Sequence, residues 1–336
     1  MRRLFLAAAA GAALWLAACS ESRQPTAPAV PTGPAASAVP AIAGPEMLGF
    51  EKDHPHTHIQ LPRGFARGLA KPANTGIIYH GGPLFTAQTR VAAIYWSGAR
   101  IYNGGPTPGT TGTGSQDGSI VGAFLRSLGG SPYFNINSTY FDGSGTHVQN
   151  NVAYTAYWAS NTNAPTSGQT ISDAQVQAQI VAGFNSGALT YDNSTLYAVF
   201  SGPGVNLGGG FGTQYCAYHG HFTSNGRDVK YAVMPRDYDF PSACAALNGS
   251  PNGDFAADAE VNTLAHETEE TTTDEDLNAW FDRRGEENAD KCAWTFGQTY
   301  TTSNGSVANM NLGGNDYLVQ RNWVNSGNGG CLVHFP

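Results

Sequence analysis

The five residues His266-Glu267-Thr268-Glu269-Glu270 have the types and spacing of a metal-dependent hydrolytic site. Positions four apart lie one above the other on a helix face, so His266 and Glu270 can share one metal ion. Glu267, one step round the helix, is then placed to polarise a metal-bound water as general base. This is the arrangement of the H-E-x-x-H zinc helix with glutamate at the second histidine, and carboxylate oxygen is an acceptable zinc ligand. The local charge is unusual: 13 of the chain's 25 acidic residues fall in the 37 positions from Asp254 to Asp290, opposed there only by Arg283 and Arg284.

A helix must carry this motif. Phe255, Ala259, Val261, Leu264 and Ala265 supply an apolar stripe, and Asp254 or Asp258 suits its amino-terminal end. The β-branched run Thr271-Thr272-Thr273 followed by Asp274 predicts an end near there. The segment HETEETTTD resembles the HExxH-x-x-T-D segment of thermolysin-like gluzincins, in which an acidic third ligand follows on a second helix twenty residues after the second ligand. The resemblance implies Asp290 as the third ligand, with Glu287 and Asp274 as substitutes. A different reading remains open. Asp282, Gly285 and Glu287 form a D-x-x-G-x-E loop, and clustered carboxylates suit a calcium brace or a plainly solvated acidic face.

Tyr215 to His221 (YCAYHGH) adds two histidines. Residues two apart on a strand point the same way, so His219 and His221 can line one cleft. His219 is a candidate catalytic donor to a developing oxyanion or an alternative metal ligand. The alternating histidines of Asp53-His54-Pro55-His56-Thr57-His58 also invite a metal reading, but this polar, proline-broken stretch is expected to precede the folded domain. The glycine-rich Gly202 to Gly212 lacks the lysine and Ser/Thr of a phosphate loop and reads as a flexible loop.

The chain begins with an export address: Arg2 and Arg3, an apolar run from Leu4 to Leu16, then Leu16-Ala17-Ala18-Cys19. That tetrapeptide resembles a bacterial lipobox, which implies a signal peptide over 1–18 and a lipid on Cys19. Residues 19–75 are rich in Pro, Ala and Ser at first and read as a tether. The expected location is therefore the outer membrane, at its periplasmic or outer face, or the secreted medium, with the membrane reached through the lipid alone. Cys216, Cys244, Cys292 and Cys331 are an even set suited to two disulfides in an oxidising compartment. Three pairings are open, and chain order favours Cys216–Cys244 with Cys292–Cys331.

The net charge of −8, which becomes −10 once Arg2 and Arg3 leave with the signal peptide, argues against a nucleic-acid partner. Residues 76–336 are expected to form one domain. Strands are expected at Arg90 to Trp96, Val152 to Trp158, Thr195 to Phe200 and Val229 to Met234. Helices are expected at Ser119 to Leu128 and from Ser172 to Phe184. Strands alternating with helices predict an α+β fold: a mixed sheet covered by helices, zincin-like in plan, with the metal-binding helix after a late edge strand.

Several short motifs occur together in one order: Tyr79-His80-Gly81-Gly82-Pro83, RVAAIYWSG, IVGAFLRSL, the block Phe211 to Gly220, VKYAVMP, and Asp290-Lys291-Cys292-Ala293-Trp294. That order resembles the phosphate-induced protein 1 family, which includes plant EXORDIUM. The resemblance implies a secreted protein with a growth-related role and no established enzymatic mechanism. The plant pattern lacks the H-E-x-x-E residues that this chain carries. Two functions are therefore expected. The first is an exported, lipid-anchored zinc hydrolase acting on a peptide or cell-surface polymer. The second is a non-catalytic cell-surface binding protein with a structural calcium or vestigial metal site.

Overall fold

The computed structural model describes residues 53–64, 76–246 and 248–336. The expected signal peptide, Cys19 and the expected tether, apart from residues 53–64, lie outside the described residues. The fold is built on a seven-stranded mixed sheet, the α+β architecture expected. Its strands are β1 (Thr57–Gln60), β3 (Thr89–Trp96), β4 (Thr110–Thr113), β5 (Val152–Ala159), β6 (Thr195–Ser201), β7 (Ala217–Ser224) and β8 (Arg227–Met234). A separate two-residue strand, β2 (Ile78–Tyr79), pairs instead with β9 (Trp280–Phe281).

The order across the sheet is β1-β7-β8-β6-β3-β5-β4. The four central strands β8, β6, β3 and β5 run parallel, with antiparallel β4 on one side and β7 then β1 on the other. The central strands are apolar on both faces because both faces are covered. Along β3, Val91, Ala93 and Tyr95 enter one core and Ala92, Ile94 and Trp96 the other, as the two-residue period of a strand requires.

Helix α1 (Ile120–Leu128) and the long helix α3 (Phe255–Thr273) pack on the first face, and α2 (Asp173–Ser186) packs on the second. Each start has a side-chain cap. Ser119 accepts from the Gly122 amide, Ser172 and Gln175 form a capping box, and Asp254 accepts from the Ala257 amide. Helix α2 stops at Gly187, whose φ of 73° favours glycine.

Two expectations are corrected. Thr57–Gln60, placed by sequence in the tether ahead of the domain, is the edge strand of the sheet and pairs with β7, His58 opposite His219. Gly220 makes this approach possible: a Cβ there would lie 2.2 Å from the carbonyl oxygen of His56. As a result β8, the strand that precedes α3, is internal rather than at the edge, because β7 and β1 lie outside it.

The disulfides are Cys216–Cys244 and Cys292–Cys331, the pairing that chain order favours. The second ties the turn that begins at Asp290 to the carboxyl-terminal segment. That segment folds over α3: the Gln320 amide donates to Asn262 Oδ1 at 2.7 Å, and Asn322 Nδ2 donates to Glu269 at 2.6 Å.

Candidate metal centre

Helix α3 is an anomaly of composition. Every residue from Ala256 to Thr273 is buried, yet most of the second half is charged or hydroxylic. A buried helix is ordinarily apolar all round, because each unpaired polar group costs free energy. Only Ala256, Ala257, Val261, Leu264 and Ala265 join the core against the sheet. Phe255, counted in the expected stripe, is 47% exposed and lies against Tyr238. The helix continues through all three threonines, whose hydroxyls are satisfied by donating back along it, Thr271 to the Glu267 carbonyl and Thr272 to the Thr268 carbonyl, both at 2.7 Å. It ends at Asp274, whose Oδ1 accepts from the amides of Asn278 and Ala279.

His266, Glu270 and Asp290 come together as the sequence implies. His266 Nε2 is 3.1 Å from Glu270 Oε1 and 3.6 Å from Asp290 Oδ1. Ligands 2.0–2.1 Å from a tetrahedral zinc stand about 3.3 Å apart, so these separations suit atoms that face a common ion. Glu267 lies beside them. Its Oε2 is 3.1 Å from His219 Nδ1, and the same nitrogen is 3.6 Å from Glu270 Oε2. Glu287 Oε1 stands 3.7 Å from His219 Nε2. His58, from the edge strand, bonds Asp290 Oδ2 through Nε2 at 2.7 Å. Three imidazoles and four carboxylates thus share one volume.

That volume is closed at α3 and β7 and keeps some exposure only at its His58 and Asp290 side. His219, His266, Glu267 and Glu270 are each 0% exposed. Among the described residues, several of its atoms have no hydrogen-bond partner: both ring nitrogens of His266, His219 Nε2, Glu267 Oε1, Glu270 Oε2 and Glu287 Oε2. Buried polar atoms are nearly always paired, so this concentration of bare atoms marks a place that could hold a cation.

Electrostatics agree. Burial raises the Glu267, Glu270 and Glu287 carboxyls above their usual range. Burial would lower His266, but the charge of Glu270 and its neighbours outweighs this and raises it to about 9. His219 is driven well down by burial and by the neighbouring rings of His58 and His266. Without a cation the cluster must take up protons to balance its own carboxylates. The donor set selects the metal class. Calcium takes oxygen, whereas imidazole nitrogen with carboxylate suits zinc and its first-row neighbours.

Sequence reasoning named His58 among the alternating histidines that invite a metal reading but placed it ahead of the domain, whereas it lies opposite His219 in the sheet. The signal was there in the alternation His56-Thr57-His58-Ile59, a strand pattern as well as a histidine pattern. His221 does not join the centre. It bonds Asp228 at 3.0 Å and lies near Asp276, but Lys230 donates to both of those carboxylates and so stands where a cation would. The D-x-x-G-x-E loop is divided: Glu287 turns into the centre, while Asp282 pairs with Lys291 at 3.0 Å.

Residues 115–322, more than half of the chain, match the phosphate-induced protein 1 conserved region. The chain belongs to the phosphate-induced protein 1 family. The matched span takes in α1, the sheet from β5 to β8, all of α3 and every residue of the centre except His58. No curated protein and no solved structure matches the chain. Family membership and the two disulfides together mark it as an exported protein.

Proposed function

We propose that this family member is a non-catalytic cell-surface binding protein organised around a closed transition-metal centre, with zinc as the metal. A lipid on Cys19 would hold it to the outer membrane. The observation that carries the reading is the enclosed cluster on α3, with its bare nitrogen and oxygen atoms at zero exposure. Structural zinc sites are closed by protein ligands, whereas catalytic ones keep a position open to substrate.

The zinc-hydrolase reading of the same motif requires a scissile bond to reach the ion, with Glu267 as base and His219 steadying the oxyanion. Their burial, and the contact between them, favour structural duty. Family membership supports the same side, since the resemblance to that family implies no established enzymatic mechanism.

Elemental mass spectrometry of the purified protein, parent and His266→Ala, tests the proposal. Zinc or a neighbouring metal in the parent, reduced in the variant, is the expected result. Calcium alone, or no metal after zinc has been supplied, overturns it. Hydrolysis of a peptide or polysaccharide by the parent, abolished in Glu267→Gln with metal retained, would overturn the non-catalytic part.

A further inference from the structure

The cluster divides into two sets of the same shape. In the first, one imidazole nitrogen, His266 Nε2, faces Glu270 Oε1 at 3.1 Å and Asp290 Oδ1 at 3.6 Å. In the second, His219 Nδ1 faces Glu267 Oε2 at 3.1 Å and Glu270 Oε2 at 3.6 Å. Each set is one nitrogen and two carboxylate oxygens at ligand spacing, and each uses a different oxygen of Glu270. A carboxylate that offers one oxygen to each of two sets is a bridge. Two ions so bridged stand about 3.5–4 Å apart.

We propose that the centre is dinuclear. One ion is held by His266, Glu270 and Asp290, the other by His219, Glu267 and Glu270, with Glu270 common to both. This rests on the metal-centre reading above and extends it.

Charge supports the second ion. Glu267, Glu270, Glu287 and Asp290 are four carboxylates in a buried volume. Two divalent ions balance their four negative charges, whereas one leaves an excess of two to be met by protons on the cluster's own carboxyls and imidazoles. The bare atoms point the same way. Among the described residues, Glu270 Oε2, the oxygen offered to the second set, lacks a hydrogen-bond partner, as do both ring nitrogens of His266 in the first, while Glu267 Oε2 is met by His219 Nδ1. A single ion at the first set would leave the second with buried carboxylate oxygens and no cation. His58 is not needed as a ligand: at 2.7 Å it is close enough to Asp290 for a hydrogen bond, and so steadies a ligating carboxylate.

The test is stoichiometry. The full-length protein is stripped with a chelator and reloaded with zinc, and bound metal is counted for parent, Glu267→Gln and His219→Gln. The expected result is two ions per chain in the parent and one in each variant. One ion in the parent, unchanged in Glu267→Gln, overturns the pair and leaves the single centre standing. No bound metal in the parent removes both. Should the variants fail to fold, the parent loaded with manganese(II) decides by electron paramagnetic resonance. An exchange-coupled signal supports the bridge, and the six-line signal of isolated ions overturns it.

Discussion

Removing the metal from the centre should destabilise the whole domain, by an amount the structure allows one to bound. An ion held there would face carboxylates and imidazoles from α3, β7 and the Asp290 turn, and so would tie three elements that are far apart in sequence. Taking away one partner of a buried charge pair costs about 3–5 kcal/mol. Protons offset part of the loss, because the emptied carboxyls are held above their usual range and titrate instead. Saturation at a thousand times the dissociation constant contributes about 4 kcal/mol by mass action, a similar figure. In a domain of this length each kcal/mol moves the melting temperature by about 2–4 °C, which puts the expected fall at about 8–16 °C. Differential scanning calorimetry of the protein before and after treatment with a zinc chelator reads this directly. Zinc should restore the original midpoint and calcium should not. A melt that stays in place after elemental analysis has shown the metal gone would refute the reasoning, because a cluster this charged cannot be emptied at no cost.

Three further outcomes follow from other parts of the structure. His58→Ala should weaken zinc binding by about 10–100-fold without changing the number of ions, as expected for a side chain that steadies a ligand; competition against a chromophoric chelator measures it. Glu260 is fully buried beside Asp237, and burial raises its carboxyl from the usual 4.5 to about 8. Its folded form therefore keeps a proton that the unfolded form loses. The stability this contributes is present below about pH 4.5 and is lost as pH rises towards 8. Relative to the parent, Glu260→Gln should melt progressively higher as pH is raised from 5 to 8, and a difference independent of pH would count against the shift. Replacing Cys216 and Cys244 together by alanine opens a link across 28 residues, for which loop-closure entropy predicts a loss of about 3–4 kcal/mol in chemical denaturation. The zinc content should be unaffected.

The sequence carried the sheet and the helices well where one local rule was decisive. Val91 to Trp96 is a β-branched and aromatic run between polar residues, and Ser172 with Gln175 announces a helix that Gly187 ends. The pairing of His266 with Glu270 on α3 was legible because their spacing is local, four residues on one face. The place of Asp290 beside them was legible through a resemblance that supplied the distance in sequence.

What could not be read was long-range and cooperative. His58 is separated from Asp290 by 232 positions, and only strand pairing with β7 brings it in. Proline and glycine around residues 53–64 suggested tether, yet four residues of strand sufficed once Gly220 left room for them. The burial of α3 was hidden too, because its charged face reads as solvated when taken alone. It is covered by a carboxyl-terminal segment whose own sequence shows only short loops and turns. Glu267 was singled out as a base and His219 as an oxyanion donor or alternative metal ligand. Their mutual contact and the shared oxygens of Glu270 appear only in three dimensions.

The most direct test of the central claim is an anomalous diffraction measurement at the zinc absorption edge, on crystals grown from protein purified without added metal. The account predicts an anomalous peak among His266 Nε2, Glu270 and Asp290, with ligand distances of about 2.0–2.2 Å. A second peak beside His219 and Glu267 would extend it to the pair. Clear density for these side chains with no anomalous peak at any first-row metal edge would contradict the account. The cluster would then be one that holds protons in place of a metal.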